Sequence, residues 1–156
     1  MFVVRGLVPD DFEGVRLVDV STQRVYHGEN WDSYSVEERE AYLKSRASEF
    51  QVNCETGFSF VAELEGRIVG FLFVYENLPY GDELVIRHIA VEPEYQGQGV
   101  GKMLLTALVE KAAYENKKAI RSWINNDNLK SMRLHESGGF EVTDWKRAYL
   151  KIEHNP

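Results

Sequence analysis

The sequence predicts a single α/β domain, a mixed sheet flanked by helices. Three observations carry that reading. The chain has 156 residues, enough for one hydrophobic core and too few for two domains. Its strand-like runs cluster ahead of the clearest helix rather than alternating with helices one by one, which argues against a doubly wound parallel sheet. No internal repeat, low-complexity tract or Pro/Gly/Ser linker interrupts it, so residues 1–156 read as one folding unit.

The elements follow in order. Phe2 to Arg5 reads as a short strand. Asp10 with Glu13 gives a capping-box start to a first helix, with Phe12, Val15, Val18 and Val25 on its inner face. Ser35 with Glu38 starts a second helix, along which Val36, Leu43, Ala47 and Phe50 recur at helical spacing. Phe58 to Leu64 and Arg67 to Tyr75 are β-rich runs joined by Glu65-Gly66, a hairpin turn. After a turn at Pro79 to Asp82, Glu83 to Val91 forms the fourth strand. Gly99 to about Glu115 is the clearest helix, with Val100, Met103, Leu104, Ala107, Leu108 and Ala112 as its apolar stripe. Ala119 to Ile124 is a fifth strand, and Asn128 to Ser137 a short helix stopped by Gly138-Gly139. Phe140 to Val142 and Ala148 to Ile152 supply a terminal hairpin. The order is β-α-α-β-β-β-α-β-α-β-β.

Composition narrows the function classes. Hydrophobic residues at 44% and charged residues at 28% suit a soluble globular protein. No apolar run reaches the length of about 20 residues that a membrane helix needs, and the start lacks the pattern of a signal peptide. The one cysteine, Cys54, leaves no intrachain disulfide and no cysteine-cluster metal site, so a reducing cytoplasm is the expected location. A net charge of −7 argues against broad binding to nucleic acid and, weakly, favours cationic small molecules or basic peptides.

The stretch from Ile86 to Leu105 is the most informative. A strand runs into a proline turn, then into alternating glycines at 97, 99 and 101, then straight into an amphipathic helix. Glycine permits unusual dihedrals and close approach of a ligand, and the first turn of a helix offers unpaired N–H groups. Together they make an anion site suited to phosphate or pyrophosphate. The Walker A loop is excluded twice, by Gln96 at its first glycine and by Met103 after Lys102. The dinucleotide fingerprint fails as well: in the register beginning at Gly99, Leu104 stands at the third glycine. What remains is Gln96-x-x-Gly99-x-Gly101.

That segment resembles the acetyl-CoA signature of the GNAT (GCN5-related) N-acetyltransferases, and Ile89 to Tyr95 is similar to the strand and turn that precede it in that family. A second match lies downstream, where Asn128 to Phe140 resembles the family's Asn-containing helix ending in Gly-Phe. The element order is similar over nearly the whole chain. The resemblance implies a mostly antiparallel GNAT-like sheet and an acetyl-CoA-dependent N-acetyltransferase without a metal. Its acceptor would be a primary amine on a small molecule or peptide, attacking in a ternary complex. Homodimers are common in such families, although no feature identifies an interface. A non-catalytic acyl-CoA-binding module of the same fold is the alternative.

The resemblance also assigns residues. Ile89, Ala90 and Val91 on the fourth strand would run beside the pantetheine, with main-chain bonds from Ile89 and Val91 where the fifth strand splays away. The N–H groups of Gly97, Gln98, Gly99, Val100, Gly101 and Lys102 would cradle the pyrophosphate, with Gln96 at the loop entrance. Asn128 would face the pantetheine, or simply cap its helix. The Ile89 N–H would donate to the oxyanion. Many members carry Tyr five residues before the Phe as the acid for the leaving thiolate; this chain has His135 there, in a Leu-His-Glu sequence similar to phosphinothricin-type acetyltransferases. Either a catalytic or a packed structural imidazole fits. A primary amine must lose a proton before attack, and the candidates for the base are Glu83, on the face of Val85, Arg87 and Ile89 by period two, or water relayed through His88. The crowded span with Tyr26, His27, Glu29, Trp31, Asp32 and Tyr34 serves either as an amine-recognising loop, with Tyr26, Trp31 and Tyr34 touching the acceptor, or as a hydrophobic lid. Trp145 is a further candidate for the same cavity.

Overall fold

The computed structural model describes residues 1–27, 33–144, 146 and 148. Strand β1 (Phe2–Gly6) leads through a 3-10 turn (Pro9–Asp11) into α1 (Phe12–His27), and α2 spans Val36–Thr56. Then come β2 (Phe60–Leu64), β3 (Arg67–Glu76), β4 (Glu83–Val91), α3 (Val100–Tyr114), β5 (Ala119–Ser122) and α4 (Leu129–Ser137). The five strands form one sheet in sequence order, antiparallel except for the parallel β4–β5 pair.

Most of these elements start and stop for local reasons visible in the chain. The Ser35 hydroxyl accepts from the Glu38 N–H (3.2 Å) and the Glu38 carboxylate accepts from the Ser35 N–H (2.7 Å), the reciprocal box expected there. Glu65 and Gly66 both have positive φ (53° and 80°), the paired left-handed conformation of a tight hairpin. The start of α1 differs from expectation. It is Asp11, not Asp10, whose carboxylate accepts from the Val8 N–H (2.8 Å), and the same carboxylate is gripped by both ends of the Arg5 guanidinium. A charged partner on β1, Arg5, outcompetes the local box.

Two cores lie on opposite faces of the sheet. Under α3, the buried side chains of Val100, Leu104, Leu105, Leu108 and Ala112 meet Ala62, Leu72, Val74, Leu84 and Ile86. Leu105 replaces Met103 in the expected stripe, and Met103 is exposed. On the other face α1 and α2 cover Phe71 and Phe73 with Val15, Val18 and Phe50. Val36 is exposed rather than inward, because it sits in the first turn of α2, beyond the edge of that core. Each fully buried Leu adds roughly 2 kcal/mol, which makes α3 the strongest single cover on the sheet.

Strand β4 carries a bulge. Phe73 of β3 pairs with His88, yet the next residue, Val74, pairs with Ile86, so Arg87 is the extra residue. The bulge inverts the alternation of side chains. Leu84 and Ile86 face the α3 core, and beyond the bulge Ile89 and Val91 pack on that same core, while Ala90 packs with Phe71 and Phe73 on the other. Glu83 therefore does not share a face with Ile89, as strict period two requires. The fifth strand ends at Ser122 rather than Ile124, and Phe140 to Val142 form no strand. The second arm of the expected terminal hairpin falls largely outside the described residues, as does Trp145.

Candidate functional site

The parallel partner of β4 is short. Strand β5 pairs only with Glu83 to Ile86, so from Arg87 onward one edge of β4 has no strand beside it among the described residues. The Glu92 N–H donates to the Val69 carbonyl of β3 (2.9 Å). By the alternation of an antiparallel ladder, Ala90 also turns its N–H and C=O toward β3, whereas Ile89 and Val91 turn theirs to the open edge. Ile89 and Val91 are thus available to an extended ligand, and the Ala90 main chain is not. One of the open groups is held within the chain: the Gln96 side-chain amide donates to the Val91 carbonyl (3.0 Å).

That edge leads to the start of α3. Gly99, in the left-handed conformation (φ 86°), is the N-cap and supplies no side-chain cap. The first intrahelical donor is Met103, bonded to the Gly99 carbonyl, so the N–H groups of Val100, Gly101 and Lys102 lack helical acceptors. A Cβ built on Gly97 (φ 79°) or Gly99 meets nothing within 4 Å, so the outer side of the loop is open. Gly101 differs: a Cβ there would lie 3.0 Å from a Leu134 methyl of α4, so this glycine lets two helices pack. The Val100 side chain is in the core and the Lys102 side chain is exposed, while Gln98 folds back onto the Glu94 carbonyl (2.9 Å).

Asn128 is the N-cap of α4, its side-chain oxygen accepting from the Ser131 N–H (3.1 Å). His135, on the last turns of that helix, is 1% exposed and packs edge-on to Phe140. Its Nδ1 lies 2.8 Å from the Ser131 carbonyl, which only accepts, so Nδ1 carries the hydrogen. Nε2 is then the bare nitrogen, buried without a partner among the described residues. Burial holds the imidazole pKa below its ordinary value against the opposing bond to Ser131. In this neutral form Nε2 accepts a hydrogen bond and has no proton to give.

Glu83 stands at the other end of β4, about 17–20 Å of strand from Ile89. Arg121 of β5 grips both its oxygens (2.8 and 3.0 Å) and Asn77 adds a third bond. These bonds, those of Arg121 first, hold its pKa below the usual carboxylate range, which makes it a weaker base than a free glutamate.

A polar cluster with no single motif behind it occupies the α1/α2 face. Tyr42, Arg46, Glu49 and Asn53 recur at spacings of four, three and four along α2, a polar stripe at core-facing period that is the signal for it. Arg46 reaches Asp19 of α1 (3.2 Å), the Tyr42 hydroxyl (2.8 Å) and Glu49 (2.6 Å), and its Nη1 also contacts His88 Nε2. Glu49 further accepts from the Tyr75 hydroxyl (3.1 Å) and from Arg87 Nε (3.2 Å). Burial pushes the Glu49 pKa up, but hydrogen bonds and charge from His88 and Arg46 outweigh it and hold the carboxyl at about 2. Burial and the Glu49 charge push Tyr75 up to about 12, so it stays a phenol and a donor. An apolar cleft walled by Phe12, Phe50, Phe71 and Phe73 ends at Arg46 and His88. Tyr34 is half-buried just ahead of α2; the Tyr26 side chain and Trp31 lie outside the described residues. Among the described residues no group of His, Cys, Asp or Glu could hold a metal ion, and no helix is long and apolar enough to cross a membrane.

A strand edge left open by its parallel neighbour, running into a bare helix N-terminus behind positive-φ glycines, defines a class of protein that can hold an extended ligand with an anionic end. The chain belongs to the acetyltransferase (GNAT) family, whose model matches residues 22–140. It is 27% identical over 122 residues to the L-amino acid N-acyltransferase MnaT of Escherichia coli, covering 76% of this chain and 68% of that one. It is 33% identical over 85 residues to the L-methionine sulfoximine/L-methionine sulfone acetyltransferase of Salmonella typhimurium, covering 53% and 50%. The chain spans about half the length of most of the curated relatives it matches first. The PaiA N-acetyltransferase of Thermoplasma acidophilum, solved with coenzyme A, shares the fold at a TM-score of 0.74 and 17% identity, over 94% of this chain and 93% of that one.

Proposed function

We propose that the chain is an acetyl-CoA-dependent N-acetyltransferase acting on a primary amine of a small molecule or peptide. The observation that carries this reading is the continuity of the open Ile89–Val91 edge with the uncapped start of α3. The loop fits the cosubstrate because nothing stands over Gly97 or Gly99 and three N–H groups are without helical acceptors. When bound, acetyl-CoA supplies the activated acyl group. The N–H groups of Val100, Gly101 and Lys102 bind the pyrophosphate, and Ile89 and Val91 bind the pantetheine as an added strand. Gln96, whose amide holds the Val91 carbonyl, would have to give it up for that carbonyl to accept from the pantetheine. The Ile89 N–H donates to the carbonyl oxygen that gains charge during transfer.

The acceptor enters from the α1/α2 face and its proton leaves through water beside His88; Tyr26, Trp31 and Tyr34 are the candidates to touch it. Glu83 serves instead to lock β4 to β5. His135 holds the α4 turn and offers Nε2 as an acceptor at the thiol end. A reducing cytoplasm suits the unpaired Cys54.

Thermal unfolding with acetyl-CoA, CoA, ATP and NAD tests the ligand. A ligand at about 100 times its Kd stabilises by roughly 2.7 kcal/mol. A shift with acetyl-CoA and CoA but not NAD is expected; no shift with either overturns the reading. Release of free CoA on adding primary amines separates the enzyme from a binding module of the same fold.

A further inference from the structure

On the α1/α2 face the charges form an alternating row: Asp19, Arg46, Glu49 and Arg87. The inner three side chains are 8%, 17% and 16% exposed, but Arg87 at the end is 55% exposed. Arg87 is the bulge residue of β4, placed just past Ile86, the last residue paired with β5, and two residues before Ile89. Next to Ile86 on the α3 face, Arg87 falls by the period of the strand on the α1/α2 face, and the bulge leaves His88 on that face beside it. Its Nε is tied to Glu49 Oε1, and Tyr75 ties the same oxygen from β3. Both Nη groups are without a partner among the described residues. Glu49 divides its charge between Arg46 and Arg87, so the outer guanidinium is only partly neutralised. The result is a cationic fork, anchored through Nε, beside the open end of the sheet.

We propose that Arg87 determines acceptor specificity by receiving a carboxylate, so that the acceptor is an amine that also carries a carboxylate, as an amino acid does. This rests on the acetyltransferase reading above. A planar guanidinium with two free Nη groups matches a carboxylate in two parallel bonds, which lysine cannot do. A polyamine or other purely cationic acceptor meets a like charge at this position. The net charge of −7 favours cations from a distance, yet salt screens it beyond about 8 Å, while the fork acts at contact.

The test uses the full chain and measures CoA release with L-amino acids, each paired with its amide, for wild type, Arg87→Gln and Arg87→Lys. Wild type is expected to favour the acid over the amide by about tenfold or more in kcat/KM, carried by KM. In Arg87→Gln that ratio should fall to near one while the acetyl-CoA thermal shift persists, and Arg87→Lys should restore only part of it. Equal use of acid and amide by wild type, which needs no variant, overturns the proposal. So does a ratio retained in Arg87→Gln. Turnover of amides with rejection of acids overturns it alone, whereas no CoA release with any amine overturns the acetyltransferase reading as well.

Discussion

Under α3 the sheet is covered by aliphatic side chains, several of them without any exposure, and the polar work is done by the backbone at the edge. On the opposite face the same strands meet phenylalanine rings and a half-buried row of ions that joins α1, α2 and β4. A face built of aliphatic packing fixes where main-chain groups stand and reads no chemistry from a ligand's substituents. A face built of fixed charges selects among them. The division of labour proposed for this protein follows that contrast, with the cosubstrate on the backbone side and the acceptor on the ionic side.

The contrast can be broken most severely in the aliphatic face. Leu104→Ala removes a fully buried side chain and is expected to cost about 2–5 kcal/mol in chemical denaturation, with collapse of both faces together. The ionic face should respond to acid. The folded-state pKa of Glu49 lies at about 2, below the ordinary glutamate value of 4.5, so its contribution is complete above about 4.5 and disappears as pH falls toward 2. Glu49→Gln is expected to flatten that part of the stability–pH curve, by less than the full shift implies because the row is partly screened by water. A curve with unchanged slope places the acid sensitivity elsewhere, Asp11 under Arg5 being the next carboxylate held low.

The glycines separate the backbone site from its packing. Gly99→Ala forces a side chain into the left-handed region and should cost about 1–2 kcal/mol while weakening acetyl-CoA binding. Gly101→Ala pushes on Leu134 and should cost about 1 kcal/mol, read as a lower Tm for the protein alone. Equal loss of cosubstrate affinity in both variants removes the distinction. Smallest of all, Glu83→Gln breaks a partly exposed pair with Arg121 and should leave the Tm almost unchanged, because water screens such pairs. An acidic limb of the pH–rate profile that vanishes in Glu83→Gln returns that residue to the role of base.

How far each face is legible in the sequence follows from the same chemistry. The helix α3 and its glycine lead-in depend on neighbours in sequence, so Gln96 to Leu108 announce both the element and its anion site. The openness of Ile89 and Val91 is readable only through resemblance, because it depends on where β5 stops, and the chain gives no local stop at Ser122. The ionic row is not legible as a site. Asp19, Arg46, Glu49 and Arg87 come from three elements, and single charges on helices usually face water. The stripe Tyr42, Arg46, Glu49, Asn53 is the available signal. The assignment of Glu83 as base depends on strict alternation, and one inserted residue in β4 is enough to undo it.

That inserted residue also makes the length of β4 part of its meaning. On either side of Arg87 the strand is read in a different phase, with Leu84 and Ile86 before it and Ile89 and Val91 after it all packed on one core. Removing one residue there would leave a strand of ordinary composition and good propensity. Its ladder would run on regularly, His88 following Ile86, with Ile89 and Val91 still on the aliphatic core; it is unbroken alternation with Arg87 kept in the ladder that would turn them onto the phenylalanine rings. In a chain where most substitutions act at one address, the bulge is a frameshift in three dimensions, and the spacing it sets is inherited by every residue between it and the glycine loop.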